Sequence, residues 1–179
     1  PLKVEQEKID AFCGALLQEE KTNGIFRYSV YENGMQIDGL APECDEKIIV
    51  LPDELEGKAV IGIASKAFCD NNLIKEVSFP KTIKYVGASA FKRCEELEKI
   101  KLNEGLLFVG ERTFDNCKNL SEVILPDTVS YIGEYLFALS GVENVSVPAA
   151  MDRVPTGMYY GTNIKDFDMP ANVVYILKS

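Results

Sequence analysis

The side chains that could do chemistry in this chain of 179 residues are cysteines and carboxylates, because the sequence contains no histidine. That absence excludes Ser-His-Asp and Cys-His catalysis, histidine metal sites and histidine-based pH switches. The five cysteines include no Cys-x-x-Cys pair, so a structural zinc site has no support. No pair of carboxylates recurs in a pattern typical of acid–base catalysis, and no nucleophile or nucleotide-binding motif is present. We therefore predict a protein that is not an enzyme and that needs no cofactor and no metal ion.

The charge balance restricts the partners that the chain can have. It carries 19 lysine and arginine residues against 28 aspartate and glutamate residues, a net charge of −9 at pH 7. Nucleic acids and anionic membranes attract basic surfaces, so we expect neither as a partner. No run of about 18 apolar residues occurs, so we expect no membrane insertion. An odd number of cysteines excludes complete internal pairing and favours free thiols.

An aromatic residue recurs at a nearly fixed interval and reveals an internal repeat. Phe68, Phe91, Phe114 and Phe137 are spaced 23 residues apart, and Tyr159 follows after 22. Each repeat also has the spacing of apolar residues that is typical of the strand in a leucine-rich repeat. These features predict a solenoid in which each aromatic side chain fills the interior of one turn. Two further sets keep the interval: Pro80, Asn103, Pro126, Pro148 and Pro170, and Gly87, Gly110 and Gly133.

The repeat unit reads L-x-x-V-x-apolar-P-x-x-V-x-x-I-G-x-x-A-F and continues, after two more residues, with a small Cys, Ser or Thr. This pattern resembles the BspA-like, treponemal-type leucine-rich repeat, and residues 47–179 match it. The resemblance implies an α/β, β-rich fold, a right-handed leucine-rich-repeat solenoid of about five to six turns of 22–23 residues. Phe26–Leu40 resembles the pair of strands that often precedes such arrays.

An amphipathic helix is predicted ahead of the repeats. Ile9, Phe12 and Leu16 follow helical spacing, and polar residues occupy the other positions, which predicts a helix over about residues 3–20. We assign residues 1–22 to a helix that caps the open N-terminal end of the solenoid, because a repeat array needs a cover there. A helix that binds a partner protein is the alternative.

A hairpin is predicted to lead from this helix into the solenoid. Within residues 23–46, Arg27–Tyr31 and Met35–Leu40 are strand-like and are joined through an Asn-Gly turn. The solenoid itself is assigned to residues 47–179, with a surface-loop insertion at Asp53–Lys58. At its other end the last repeat stops before an aromatic residue, so we expect either a continuing array or an open edge that can self-associate.

One face of the solenoid is predicted to be a wall of parallel strands, because apolar and polar residues alternate in each repeat. We assign partner binding on this face to Lys99, Lys101, Glu122 and Ile124. The alternative is a solvated sheet face, since mixed charge is ordinary surface. The outward positions are Ile48, Val50, Glu76, Ser78, Lys99, Lys101, Glu122, Ile124, Asn144, Ser146, Asp166 and Asp168.

A second candidate surface is a row of aromatic residues. Tyr85, Phe108, Tyr131 and Tyr175 each precede an inward-facing Val or Ile, and Arg153 fills the remaining step. Alternation predicts that these side chains point outward, which would expose an aromatic stripe suited to binding a protein or a glycan. The alternative is an aromatic ladder that only stabilises the stack of turns.

Small residues occupy one equivalent position in every repeat, shortly after the aromatic residue. Two interpretations are open: a thiol or hydroxyl site, or a ladder in which each side chain bonds the backbone of its own loop. The residue type varies while the size does not, which favours the ladder. The residues are Asn71, Cys94, Cys117, Ser140 and Thr162.

The resemblance implies a non-enzymatic recognition module, the ligand-binding or adhesion part of a bacterial surface-associated protein. It implies a location at the cell surface or outside the cell, with a protein or a glycan as partner. The odd number of thiols and the lack of a visible leader favour the alternative, an intracellular regulatory or scaffolding interaction protein. A cytoplasmic location therefore stays open.

Overall fold

The computed structural model describes residues 2–149, 151 and 153–168 of the chain. This part contains one helix followed by short strands. Their bounds are α1 (Leu2–Cys13), β1 (Leu16–Thr22), β2 (Phe26–Tyr31), β3 (Met35–Leu40), β4 (Ile48–Val50), β5 (Glu54–Leu55), β6 (Lys58–Ile63), β7 (Glu76–Ser78), β8 (Tyr85–Val86), β9 (Lys99–Lys101), β10 (Phe108–Val109), β11 (Glu122–Ile124), β12 (Tyr131–Ile132), β13 (Asn144–Ser146) and β14 (Asp166–Asp168).

The repeats wind into a solenoid of about five turns. Each turn contributes one strand to the strand face, where β4, β7 and β9 pair in parallel, as do β11, β13 and β14. A second row of parallel strands, β6, β8, β10 and β12, forms the flank of the solenoid. Equivalent residues of successive turns lie opposite each other, so Val77 pairs with Ile100 one repeat later. The prediction of a β-rich solenoid is confirmed.

The repeating aromatic residues form a continuous stack inside the solenoid, called here the inner ladder. Its ring centroids are 5.0, 5.8, 5.7 and 6.1 Å apart along the series. The four phenylalanines are almost completely buried, as predicted for residues that fill the interior of their turns. Burial of such large rings against each other is a major stabilising contribution. The members are Phe68, Phe91, Phe114, Phe137 and Tyr159.

The small residues that follow the inner ladder all bond the backbone, but the prediction that each bonds its own loop is wrong for the two cysteines, which bond the preceding turn. The thiols of Cys94 and Cys117 donate to the carbonyl oxygens of Phe68 and Phe91 at 3.0 and 3.1 Å. The hydroxyls of Ser140 and Thr162 donate to carbonyls of their own loops, and Asn71 Oδ1 accepts from two backbone N–H groups of its own loop. Burial raises the pKa of Cys94 to about 12 and raises that of Cys117 strongly. Both thiols therefore stay protonated at neutral pH and are poor nucleophiles.

The N-terminal helix is shorter than predicted. It ends at Cys13 because Gly14 adopts a positive φ of 70°, where glycine has no steric penalty. The apolar residues that continued the helical spacing belong instead to β1, which pairs antiparallel with β2. The predicted helix over residues 3–20 is therefore wrong beyond Cys13.

The hairpin, and not the helix, closes the N-terminal end of the solenoid. The hairpin of β2 and β3 is confirmed, and β3 pairs in parallel with β6, so the flank sheet continues into it. Buried residues of the hairpin, including Phe26, Tyr28 and Ile37, join the core of the solenoid. The prediction that the helix caps this end is wrong, because the edge is already covered by paired strands.

The predicted surface loop at Asp53–Lys58 is a small hairpin. β5 pairs antiparallel with β6 through a turn in which Glu56 and Gly57 both have positive φ, 49° and 76°. Two positive φ values match the tight turn that suits the twist of a hairpin. The tip is held by Tyr28, whose hydroxyl donates to Glu56 at 3.0 Å, and by an ion pair between Lys21 and Glu56. The predicted C-terminal edge beyond residue 168 lies outside the described residues.

Candidate functional site

The strand face presents exposed apolar residues on both sides of a charged centre. Val50 and Ile124 are 69% and 64% exposed, while the middle residues of their strands, Ile49 and Val123, are buried. Lys99 and Lys101 on β9 are exposed, as the alternation predicted. The Lys99 ammonium pairs with the Glu76 carboxylate at 3.0 Å. The face therefore combines fixed charges with exposed apolar area.

The strand face is divided near its centre. Among the described residues, β9 and β11 belong to separate three-stranded sheets. Lys101 and Glu122, one on each side of the division, form no ion pair with another described residue and are both exposed. Their charges are thus available to a partner, together with the apolar Ile124. The backbone of Asp166 and Asp168 continues the face through β14.

The second predicted surface is covered. The flank carries Tyr85, Phe108 and Tyr131 in register, and we call these three residues the outer row. Tyr85 and Phe108 are 0% and 1% exposed, because α1 lies across them and not across the end of the solenoid. Phe12 of α1 stacks on Tyr85 with a centroid separation of 5.7 Å, and Ile9 packs into the same cluster.

The expectation that these aromatic side chains form an exposed stripe is therefore wrong. The rings of Phe108 and Tyr131 stack at 4.6 Å with an interplanar angle of 4°, which agrees with the stabilising-ladder alternative. A partner-binding role for the outer row stays a prediction that would require α1 to move away. Arg153 is exposed, and Tyr175 lies outside the described residues. The apolar side of the predicted helix indicated that the helix packs against another part of the protein, but not that it packs on the outer row.

A carboxylate is buried where α1 meets the flank. Glu5 is 2% exposed, and its Oε1 accepts hydrogen bonds from the Glu111 backbone N–H at 2.8 Å and the Tyr131 hydroxyl at 3.3 Å. Its Oε2 has no hydrogen-bond partner among the described residues. Burial raises the pKa of Glu5, and the nearby Glu111 carboxylate raises it further. Burial and the charge of Glu5 raise the pKa of Tyr131 to about 12.

The other end of α1 is fixed by a thiol. Cys13 Sγ lies 2.8 Å from the Tyr85 hydroxyl, which donates to Gln36 Oε1 at 2.9 Å. Burial raises the pKa of both Cys13 and Tyr85, so neither group ionises at neutral pH. The contact is polar packing and gives no activated nucleophile.

The described residues contain neither a metal site nor a membrane-spanning helix. Among residues 2–149, 151 and 153–168, no group of three or more Cys, Asp or Glu side chains is placed to hold a metal ion. No helix in this part of the chain combines the length and the apolar character needed to cross a membrane.

The fold and the two faces define a leucine-rich-repeat solenoid. Residues 61–179 match the family model of the BspA type leucine rich repeat region, in six copies. Since the match extends over about two thirds of the sequence, the chain belongs to the BspA-type leucine-rich-repeat family. Membership in this family is consistent with a protein-interaction module.

Solved structures show the same fold at low sequence identity. A leucine-rich repeat protein of T. pallidum is 23% identical to this chain and superposes with a TM-score of 0.64. The alignment covers 82% of this chain and 80% of that protein. One from Bacteroides capillosus shares 22% identity and a TM-score of 0.64, over 72% and 97% of the two chains. A leucine rich cell surface protein of Faecalibacterium prausnitzii shares 18% identity and a TM-score of 0.63, over 88% of this chain but 50% of that one. At these identities the similarity shows the fold alone, and no curated protein matches the chain.

Proposed function

We propose that the chain is a non-enzymatic recognition module that binds a protein through its strand face. The observation that carries this proposal is the exposure of Val50 and Ile124 on either side of Lys99 and Lys101. Exposed apolar side chains on a rigid sheet lose little entropy on binding, and the lysines between them can fix the orientation of a partner. The net charge of −9 disfavours an acidic partner except at the lysines of this face.

We further propose that the module is the ligand-binding or adhesion part of a bacterial surface-associated protein. Support comes from the family and from the structural similarity to a protein described as a leucine rich cell surface protein. One observation favours the alternative, an intracellular regulatory or scaffolding protein: all five cysteines are free. Free thiols persist most readily in a reducing compartment.

A pull-down with matched baits tests the proposal. The test bait carries Ile48→Ser, Val50→Ser and Ile124→Ser on the strand face, beside the wild-type chain. The control bait carries Leu17→Ser, Ile25→Ser and Leu73→Ser, which removes the same number of exposed apolar side chains elsewhere. Surface-protein and cytosolic extracts are applied separately, and each captured protein is then purified and titrated against all three baits.

The proposal predicts a captured surface protein whose affinity for the strand-face variant is about tenfold or more below that for wild type and control. Equal affinity for all three baits would remove the strand face as the binding site. A partner captured from the cytosolic extract alone, with the same pattern of variants, would establish the intracellular alternative instead.

A further inference from the structure

A groove of about 350 Å³ lies on the turn side of the solenoid, away from both the strand face and α1. It is formed by the turns around the inner ladder, where side chains of four successive repeats meet. Its volume is at the lower end of the range for small-ligand sites in proteins. The residues used below are Arg93, Arg112, Asn116, Tyr135, Leu139 and Tyr160.

Two glycines beside the groove replace larger residues of earlier repeats. Gly157 and Gly161 occupy the positions that Tyr135 and Leu139 hold one turn before. A Cβ atom at Gly157 would overlap the Tyr135 ring, and one at Gly161 would come within 2.6 Å of the Leu139 side chain. The side chains of Tyr135 and Leu139 therefore pack directly on the two glycines, and both line the groove as its apolar part.

The two tyrosines of the groove differ: Tyr135 is held by a neighbouring guanidinium, whereas Tyr160 is exposed. The Arg112 guanidinium stacks 4.3 Å from the centroid of the Tyr135 ring, which holds that ring in place. Tyr160 is 65% exposed, although an aromatic ring of this size is usually at least partly covered. Tyrosine offers a large contact area and loses little entropy on binding.

The cations around the groove are already paired with carboxylates. Arg93 holds Asp70 in a bidentate pair that includes a contact of 2.6 Å from Nη2 to Oδ2. Arg112 donates to the carboxylates of Asp115 and Glu111 at 3.0 and 3.2 Å. Because charge is balanced by these pairs, the groove offers oriented N–H donors and carboxylate acceptors without an excess of positive charge.

A free amide completes the set of polar groups. The side chain of Asn116 lines the groove and makes no hydrogen bond to another described residue. A primary amide can donate two hydrogen bonds and accept two at the same time. Such a group suits a ligand with hydroxyls, because each hydroxyl is both a donor and an acceptor.

We infer that this groove binds a neutral saccharide, with the exposed Tyr160 against the C–H face of a sugar ring and Tyr135 beside it. Asn116 and the paired guanidinium groups of Arg93 and Arg112 would bond its hydroxyls. A sugar ring presents both kinds of surface, an apolar face and a polar rim, and the groove presents the complement of each. The balanced charge selects against acidic sugars and acidic peptides, which need an unpaired cation. This second site does not depend on the proposed role of the strand face.

The test is native affinity electrophoresis of the full chain in gels that contain one neutral polysaccharide each: a mixed-linkage β-glucan, an arabinoxylan, a galactomannan or amylopectin. Polygalacturonate serves as the acidic polymer. Tyr160→Ala removes the exposed ring, and Tyr160→Phe keeps it. Ile124→Ala is the matched control, because it removes an equally exposed apolar side chain from the strand face. Oligosaccharides of any retarding polymer are then titrated by calorimetry.

We expect at least one neutral polymer to retard the wild type, Tyr160→Phe and Ile124→Ala alike. Tyr160→Ala should bind the matching oligosaccharide about tenfold more weakly or not at all. Absence of retardation by every neutral polymer overturns the inference. So does retardation by polygalacturonate alone, or a loss that follows Ile124→Ala and spares Tyr160→Ala. None of these outcomes changes the protein-binding test of the strand face, so the two proposals fail separately.

Discussion

The inner ladder and the outer row are both aromatic stacks with a 23-residue period, yet they are buried by different parts of the chain. The three inner rings of the inner ladder, Phe91, Phe114 and Phe137, are each covered by their equivalents one turn before and after. The outer row is covered by α1, a segment that the repeat does not contain. A periodic pattern therefore predicts contacts between repeats, whereas the cover of a periodic surface depends on a non-repeating segment.

The difference has an energetic consequence. A residue of the inner ladder can lose its neighbours only if turns of the solenoid separate, because stability in a repeat array resides in the interfaces between adjacent turns. The outer row can lose its cover if α1 detaches as a unit while the turns stay stacked, since local opening costs less than global unfolding. Substitutions in the two regions should thus differ in size and in the part of the molecule that responds.

The largest expected effect comes from breaking the inner ladder. Phe114→Ala removes a fully buried ring between two stacked neighbours and leaves a cavity. We expect the free energy of unfolding to fall by about 3–5 kcal/mol. Urea denaturation followed by circular dichroism measures it. The control is Leu139→Ala, half exposed on the turn side, which should change it by less than about 0.5 kcal/mol. Equal effects of the two substitutions would show that the inner ladder is not the main source of cohesion.

A smaller and local effect is expected from the cover of the outer row. Ile9→Ala removes a buried side chain from α1 where it packs on Tyr85 and Phe108. Docking of α1 should weaken by about 2–3 kcal/mol, while the stacked turns stay intact. Hydrogen exchange should therefore accelerate in α1 and remain slow around the inner ladder.

The control for this substitution is Val4→Ala, on the same helix but half exposed. It should leave the exchange rates of α1 nearly unchanged. If Ile9→Ala instead accelerated exchange throughout the solenoid, α1 and the repeats would form one cooperative unit, and the distinction between the two regions would be lost.

The sequence could predict what the repeat itself determines. The inner ladder, the small-residue ladder and the alternation on the strand face recur in every turn, so each prediction rested on several equivalent residues. The end of α1 could not be predicted this way, because Leu16 and Leu17 continue the helical spacing although they pair in β1. Strand pairing with β2 outweighs local periodicity there, as tertiary contacts commonly do.

The covered outer row was also beyond the reach of pattern analysis. Glu5 occupies a position that the helical pattern assigned to the solvent side, but the structure buries it against Glu111 and Tyr131. A carboxylate is rarely buried without a charged partner, so no general rule pointed to this docking mode. The packing of Tyr135 and Leu139 beside the turn-side groove left a clearer trace, since Gly157 and Gly161 interrupt positions that carry side chains in the preceding turns.

The docking of α1 is expected to depend on pH through Glu5. Its pKa is raised above the ordinary 4.5 when α1 is docked, so the docked state binds a proton that the undocked state has lost. Docking is therefore fully favourable below about that ordinary value and weakens as the pH rises through the raised pKa. Glu5→Gln removes the charge, should strengthen docking by about 1–2 kcal/mol at pH 7, and should abolish this dependence.

Hydrogen exchange of α1, measured at about pH 5 and pH 7.5 and corrected for the intrinsic rates, tests this. Glu7→Gln, an exposed glutamate on the same helix, controls for net charge and should behave like the wild type. If Glu5→Gln weakened docking at both pH values, the ionised carboxylate would be stabilising the contact, opposite to the effect of its burial.

The smallest expected effect concerns the single hydroxyl that bonds this carboxylate. Tyr131→Phe keeps the ring stack of the outer row but removes the donor that lies 3.3 Å from Glu5 Oε1. That hydrogen bond lowers the pKa of Glu5 because it stabilises the ionised form, so its loss should raise the pKa of Glu5 further. Docking should weaken by about 0.5–1 kcal/mol above the raised pKa and stay unchanged where Glu5 is protonated.

In the Glu5→Gln background the same substitution should lose this pH dependence, because no charge remains to be stabilised. If Tyr131→Phe weakened the docking of α1 equally at all pH values, its effect would come from packing. The Glu111 backbone N–H would then be the hydrogen-bond donor that stabilises the ionised Glu5 carboxylate.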